Sequence, residues 1–510
     1  METALDETRK TMRSWALSSK DFDQTIEIAK FLGKLNWLNN DYKASDPEFE
    51  SQIFEKYNPF IEETYELARK AQGDRARYLH IVSQAHSFGG HTALLISLLD
   101  HLDVGKSSQA VAITEHLNDQ VRKRIDGHQI EDLSNFRSAK LKFEALAGCV
   151  SRSETIVLHI HPDDILAAIA ALLALKKGKK VLFINHADHV FSFGTNCSST
   201  LLEVSRFGWE FSEKYRRFRS HSFLGIPVFQ EQMAGDQSRT GPVLSVGRPS
   251  KFAPDKRLDF SQFLSQLLER VPNDAVIVGP SGKEPWWQDV LIRYPGRVFF
   301  PGIVSSGELN SFFSKASCYV DSFPINGGTT LAQALCAGLN VFVPSGNSGG
   351  YNLAENLKSS SLDDMVCEIE NFIKTGKLKT DQEGIRRGVK NAFSCQAVAR
   401  RLRAAEEGAN CPLPLQLQLD DGYFNQHRDR WLSEGRLRFP DSELTEFSVI
   451  SRAWLLVFFV FRTRGRIRFP RTIWMLSWLL FGASLRRKLG TEALRGNKLF
   501  RNSGICAPNR

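Results

Sequence analysis

The chain has 510 residues, 42% of them hydrophobic and 24% charged. It is too long for one core and too apolar for a disordered polypeptide, so two or three globular domains are expected. The net charge of +9 sits at one end: residues 451–510 hold 13 Lys/Arg against the single acid Glu492, which leaves the main body slightly acidic and gives no basic surface there for nucleic acid. Eight cysteines are scattered without a Cys-x-x-Cys pair. That excludes a zinc ribbon or a disulfide framework and suits reduced thiols in the cytoplasm. The first residues lack the apolar run of a signal peptide.

Residues 1–74 read as a helical, polar N-terminal extension, with apolar positions at Ile26, Ile28, Phe31, Leu32 and Leu35 and interruptions at Pro47 and Pro59. From Tyr78 the pattern changes. Tyr78–Val82, Ala110–Ile113, Thr155–Ile160, Val181–Ile184 and Phe223–Val228 read as strands, with helical runs such as Ala93–Leu99 and Ile165–Leu175 between the earlier ones. Such alternation implies parallel β-α units in a doubly wound sheet. A polar, turn-rich break covers Asp236–Pro242.

The alternation then restarts with strands Val243–Val246, Ala275–Val278, Val298–Phe300, Cys318–Val320 and Val341–Val343, and helices from Leu362 to Glu406 close the unit. Ala409–Gln418, with Pro412 and Pro414, reads as a linker. The expected domains are therefore 1–74, 75–238, 239–408 and 409–510. The fold class is α/β: two Rossmann-like domains facing a cleft, with the carboxyl ends of both sheets toward it.

Five short stretches lie where strands end. Phe88-Gly89-Gly90-His91-Thr92 follows the first strand, and its glycines would let a ligand approach the backbone while His91 serves as a general base. His159-x-His161-Pro162-Asp163-Asp164 is a polar cluster in which Asp163 equally suits a helix N-cap. Asn185-His186-Ala187-Asp188-His189 could supply a base or bind acceptor hydroxyls, with Asp188 orienting an imidazole. His186-x-x-His189 raises metal binding, but no third ligand follows at a recognisable spacing, so no metal is expected. Val246-Gly247-Arg248-Pro249-Ser250-Lys251 brings two cations to the end of the second unit's first strand.

The fifth is Asp321-Ser322-Phe323-Pro324-Ile325-Asn326-Gly327-Gly328-Thr329-Thr330. An Asn-Gly-Gly turn between strand and helix leaves backbone N–H groups bare, with Thr329 and Thr330 where capping residues belong. It is either an ordinary helix cap or a turn that binds an anion, and the natural anion is a diphosphate.

These features resemble glycosyltransferases of the GT-B fold, and the late stretch is most similar to the nucleotide site of O-GlcNAc transferase-like enzymes and of bacterial surface-polysaccharide glycosyltransferases. The similarity spans residues 78–405. It implies that Asn326, Gly327, Gly328, Thr329 and Thr330 hold the diphosphate of a nucleotide sugar, UDP-linked by resemblance, and that Lys251, then Arg248, neutralises the leaving group without a metal or other cofactor. Gly89 and Gly90 would border the donor, and His91 occupies the place of a Gly-x-His in such enzymes. Relatives bind the ribose with an acid where this chain has Gln333. The paired glutamates of retaining relatives would fall at Ile325 and Gln333 and are absent, which favours inversion. The implied activity is sugar transfer to a glycan or lipid-linked acceptor. A nucleotide-sugar 2-epimerase and a catalytically silent binding scaffold are the rival readings.

In the tail, the apolar runs Ala453–Phe461 and Ile473–Ala483 are each too short to span a bilayer, which needs about twenty residues. They flank an arginine-rich segment. Residues 451–501 are therefore expected to lie on an anionic membrane at its cytoplasmic face, as a peripheral attachment.

Overall fold

The computed structural model describes residues 2–71, 73–87, 90–228, 240–255, 258–344 and 357–413. The first sheet has seven strands: β1 (Ala76–Ala85), β2 (Gln109–Leu117), β3 (Gln129–Asp132), β4 (Ser153–His159), β5 (Lys180–Asn185), β6 (Thr200–Glu203) and β7 (His221–Phe223). Their order is β3-β2-β1-β4-β5-β6-β7, and every pairing is parallel. The expected strand at Phe223–Val228 ends at its first residue, because Gly225 takes a left-handed φ of 77° and Pro227 cannot donate to a ladder.

The second sheet has five strands: β8 (Val243–Val246), β9 (Ala275–Val278), β10 (Val298–Gly302), β11 (Cys318–Val320) and β12 (Val341–Phe342). Their order is β10-β9-β8-β11-β12, again all parallel. Both sheets are thus doubly wound, as the strand–helix alternation implied. The strand order reverses between β1 and β4 in the first sheet and between β8 and β11 in the second. Ligands of such sheets bind outside the carboxyl ends at this reversal.

The N-terminal residues form α1 (Glu2–Ser18), α2 (Phe22–Leu38), α3 (Pro47–Lys56) and α4 (Asn58–Lys70). Pro47 and Pro59 open helices here, because a missing N–H costs nothing in the first turn. These helices are not a separate appendage. They bury Ile28, Phe31 and Phe54 in one core with α7 (Ala139–Ser151) and α8 (Ile165–Lys176), and the Phe22, Phe60 and Phe143 rings meet there at 5.2–5.8 Å.

The helices after β12 are α14 (Leu362–Thr375), α15 (Gln382–Phe393) and α16 (Cys395–Glu406). The first two close the second unit. α16 does not: it crosses to the first unit and packs Val398, Leu402 and Ala405 against Tyr78 and against Leu94 and Leu98 of α5 (Gly90–His101). Glu406 fixes the crossing by accepting from Thr155 Oγ1 at 2.8 Å, from Arg77 Nη2 at 3.3 Å and from the Tyr78 hydroxyl. The expected linker begins as an edge partner of β7, with Phe223 N donating to Cys411 O at 2.8 Å. Among the described residues no helix is long and apolar enough to cross a membrane. The basic tail lies outside the described residues, as does most of the break at Asp236–Pro242.

Candidate active site

At the reversal point of the second sheet, β11 runs into the Asp321–Thr330 turn and then α13 (Thr329–Cys336). Asp321 is fully buried, and its Oδ1 accepts from Ser322 N at 3.0 Å and from Gly327 N at 2.8 Å. Burial pushes its carboxyl up to about 6, against the opposing pull of the Gly327 amide and the Lys251 charge. The Ser322 hydroxyl donates to Ile325 O at 2.9 Å, and the Phe323–Pro324 peptide is cis. The outcome is a turn folded around a carboxylate rather than around a side-chain cap.

Glycine is required twice in this turn. A Cβ at Gly327 would meet Asp321 Oδ1 at 2.4 Å, and Gly328 takes a φ of 60°. The threonines are therefore not the cap. Gly328 is, without a side-chain bond, and Thr329 and Thr330 are the first two helical residues, both half-buried. The amides of Gly328 and Thr329 have no acceptor among the described residues. Bare amides at a helix start, with two hydroxyls beside them, attract an anion.

Lys251 ends a short 3₁₀ turn, Pro249–Lys251, after β8, and its Nζ donates to Asn326 O at 2.7 Å. Its backbone carbonyl accepts from Ile325 N at 3.2 Å. Burial lowers the Lys251 ammonium below the ordinary lysine value, opposed by the Asp321 charge. Arg248 is exposed at the start of the same turn. Gln333 sits one turn into α13, half-buried.

The first sheet gathers histidines at its own reversal point. His91 lies in the first turn of α5, His159 ends β4 and His186 follows β5. One ligating atom from each lies within 4.8 Å of the others. His159 Nδ1 and His186 Nε2 are 3.3 Å apart, and the His91 and His186 rings meet with centroids 4.1 Å apart. His91 Nε2 bonds His159 O at 3.0 Å, so that nitrogen carries the proton and Nδ1 keeps the lone pair. Below them, His80 Nδ1 faces His159 Nε2 at 3.1 Å.

Burial first, then neighbouring imidazoles, pushes these groups down. His91 falls to about 4 and His80 to about 3, and His159 and His186 lie well below the ordinary histidine value. All four are neutral at pH 7.

Asp188 does not orient His186. Its Oδ1 pairs with His189 Nδ1 at 3.1 Å, and its Oδ2 takes the Ser205 hydroxyl. Burial would raise the Asp188 carboxyl, but His189, Ser205 and Arg216 together hold it below the ordinary value. Asn185 is also a framework residue, donating to Glu203 at 2.9 and 3.1 Å. The cap of α8 is Asp164, not Asp163. Asp164 accepts from Ala167 N at 3.0 Å, while Asp163 lies buried 3.8 Å from His161 Nδ1.

The structure thus joins His91 to His186 through His159 and joins Lys251 to the Asn326–Thr330 turn. Among the described residues, none of the hydrogen bonds of His91, His186, Lys251 or Asn326–Thr330 crosses between the two groups. Gly90 opens α5 at the surface, and Gly89 lies outside the described residues. His80 is an addition from the structure, because a histidine within a strand carries no sequence signal of its own.

No protein-family model matches the chain, and no curated protein matches it in sequence. Among solved structures, HepE from Anabaena in complex with UDP and glucose aligns over 65% of this chain and 100% of its own, at 13% identity and a TM-score of 0.49. The Thermobaculum terrenum O-GlcNAc transferase aligns over 80% of this chain and 85% of its own, at 12% identity and a TM-score of 0.46. The lipopolysaccharide outer core galactosyltransferase WaaB aligns over 65% and 99%, at 16% identity and a TM-score of 0.45. At such identities no site residue is carried over from them.

Proposed function

We propose that this chain is a GT-B glycosyltransferase that moves a sugar from a nucleotide diphosphate donor, UDP-linked in the first instance, to a hydroxyl of a glycan or lipid-linked glycan. The observation that carries this reading is the Asp321-centred turn: bare Gly328 and Thr329 amides at a helix start, two half-buried threonines beside them, and Lys251 bonded across the turn. When a glycosidic C–O bond breaks, negative charge moves onto the diphosphate. Fixed donors and a half-buried cation stabilise that charge best where they need no reorganisation.

On the other edge, the His91 Nδ1 lone pair is the candidate acceptor of the proton from the attacking hydroxyl. A neutral imidazole at about 4 is a weak base, and an approaching anionic donor raises it toward the range in which it works. Inversion remains part of the proposal. The tail, 451–501, would hold the enzyme against anionic lipid at the cytoplasmic face, near lipid-linked acceptors.

One feature favours a silent binding scaffold instead. Gln333 replaces the acid expected at the ribose, which weakens one nucleotide contact without touching the turn. Calorimetry and a donor-hydrolysis assay separate the cases. Thr329→Ala with Thr330→Ala should abolish UDP binding, and the wild type should turn over a UDP-sugar. Unchanged UDP affinity in the double variant removes the site assignment. UDP binding without turnover of any sugar donor leaves the scaffold.

A further inference from the structure

The three histidines at the edge of the first sheet have a geometry that base catalysis does not require. A base needs one imidazole and a group to orient it. Here three imidazoles from α5, β4 and the loop after β5 converge, each bringing one nitrogen to within 4.8 Å of the other two. His159 Nδ1 and His186 Nε2 stand 3.3 Å apart. Two nitrogens bound to one tetrahedral zinc at the usual bond length of about 2.0–2.1 Å stand about 3.4 Å apart.

The outer contacts fit the same purpose. His91 Nε2 is spent on the His159 carbonyl at 3.0 Å, which leaves Nδ1 as its lone pair, and that nitrogen has no partner among the described residues. His159 Nε2 faces His80 Nδ1 at 3.1 Å. A backbone carbonyl and a buried side chain holding the far nitrogens are what ligating histidines ordinarily have. His159 is fully buried while His91 and His186 are partly exposed, so the site is closed below and accessible above.

We infer that His91, His159 and His186 form a three-histidine site for a first-row transition-metal dication, zinc in the first instance, with a fourth position open at the sheet edge for an oxygen ligand. Three neutral nitrogens and no carboxylate favour zinc or its neighbours over magnesium or calcium, which take oxygen ligands. His189 takes no part, since Asp188 holds it.

The binding claim stands independently of sugar transfer. Its consequence rests on the proposed function: an acceptor hydroxyl bound at the fourth position would release its proton to solvent near neutral pH, and His91 would then be a ligand rather than the base.

The test uses the full chain, stripped of metal and equilibrated with zinc or cobalt(II). Elemental analysis should find about one metal per chain, and the cobalt form should show the strong visible bands of a tetrahedral site. His80→Ala should weaken binding roughly 10- to 100-fold as an outer contact. His91→Ala and His186→Ala should weaken it further. His86→Ala is the control, because the His86 and His116 rings also pair, with centroids 5.0 Å apart. It should leave the metal in place.

A wild type that binds neither metal tightly overturns the proposal. So does metal that survives His186→Ala but is lost with His86→Ala. UDP affinity measured on the same samples reports on the donor turn alone, so failure of either reading is distinguishable from failure of the other.

Discussion

Replacing Gly327 by alanine strikes the donor turn at its centre. The new Cβ would lie 2.4 Å from Asp321 Oδ1 and 3.0 Å from the Tyr319 hydroxyl. Both side chains are fully buried, so neither can swing aside, and the backbone must move instead. That movement breaks the 2.8 Å bond from Gly327 N to Asp321. A hydrogen bond to a charged group contributes about 1.5–3 kcal/mol. The same displacement carries the Gly328 and Thr329 amides away from the anion they would hold.

Removing one charge-assisted hydrogen bond to the diphosphate weakens affinity roughly 10- to 100-fold, since about 1.4 kcal/mol is tenfold. Gly328→Ala is the comparison. Nothing lies within 4 Å of its Cβ, and only the backbone resists: φ 60° with ψ −115° lies outside the regions a side-chain-bearing residue ordinarily adopts, at about 1–3 kcal/mol of strain. Titration calorimetry with UDP, with circular dichroism to confirm folding, reads both variants. Gly327→Ala that is folded and binds UDP as the wild type does would refute the turn as the diphosphate site.

Three further outcomes follow from the same structure. Lys251→Met removes the cation bonded to Asn326 O and should lower kcat about 10²- to 10³-fold in a donor-turnover assay, as loss of one transition-state donor does elsewhere. An unchanged kcat would remove Lys251 from the leaving-group role. Acid should weaken the fold. His80 is held at about 3 against an unfolded value near 6.5, so the unfolded chain binds more protons as pH falls through 6.5; stability present above that value is lost below it, by about 2 kcal/mol at pH 5 for this residue. Urea midpoints at pH 7 and 5 should show that loss together with the share of the other buried histidines, and His80→Asn should reduce it by about the His80 share. Glu406→Ala leaves Thr155 and Tyr78 without their shared acceptor and should destabilise the chain by about 2–4 kcal/mol in urea, with wild-type stability arguing against the crossing of α16.

The strands of the second sheet are legible in the sequence almost to the residue. Val243–Val246, Ala275–Val278 and Cys318–Val320 are apolar runs broken only by the small, buried Ser245, because parallel strands are covered on both faces. β3 escapes because Gln129–Asp132 is a polar edge strand. β6 escapes because its buried Glu203 reads as a surface residue until Asn185 and Ser212 are seen bonding it. The crossing of α16 cannot be read, since helical spacing reveals an apolar stripe and not the sheet that receives it.

The same limit governs the site. His91, His186 and Lys251 stand out by their places after strands. Their grouping depends on strand order, which sets β4 between β1 and β5 and so inserts His159 between the other two histidines. The cap moves from the threonines to Gly328 because only a residue free to take positive φ can close a turn wrapped around Asp321.

The central claim is that a nucleotide diphosphate rests on the start of α13, and a crystal structure of the full chain with a UDP-sugar tests it most directly. Diphosphate oxygens are expected at hydrogen-bonding distance, about 2.7–3.2 Å, from the Gly328 and Thr329 amides, with Lys251 beside them. A nucleotide bound elsewhere, or none at saturating concentration, would contradict it.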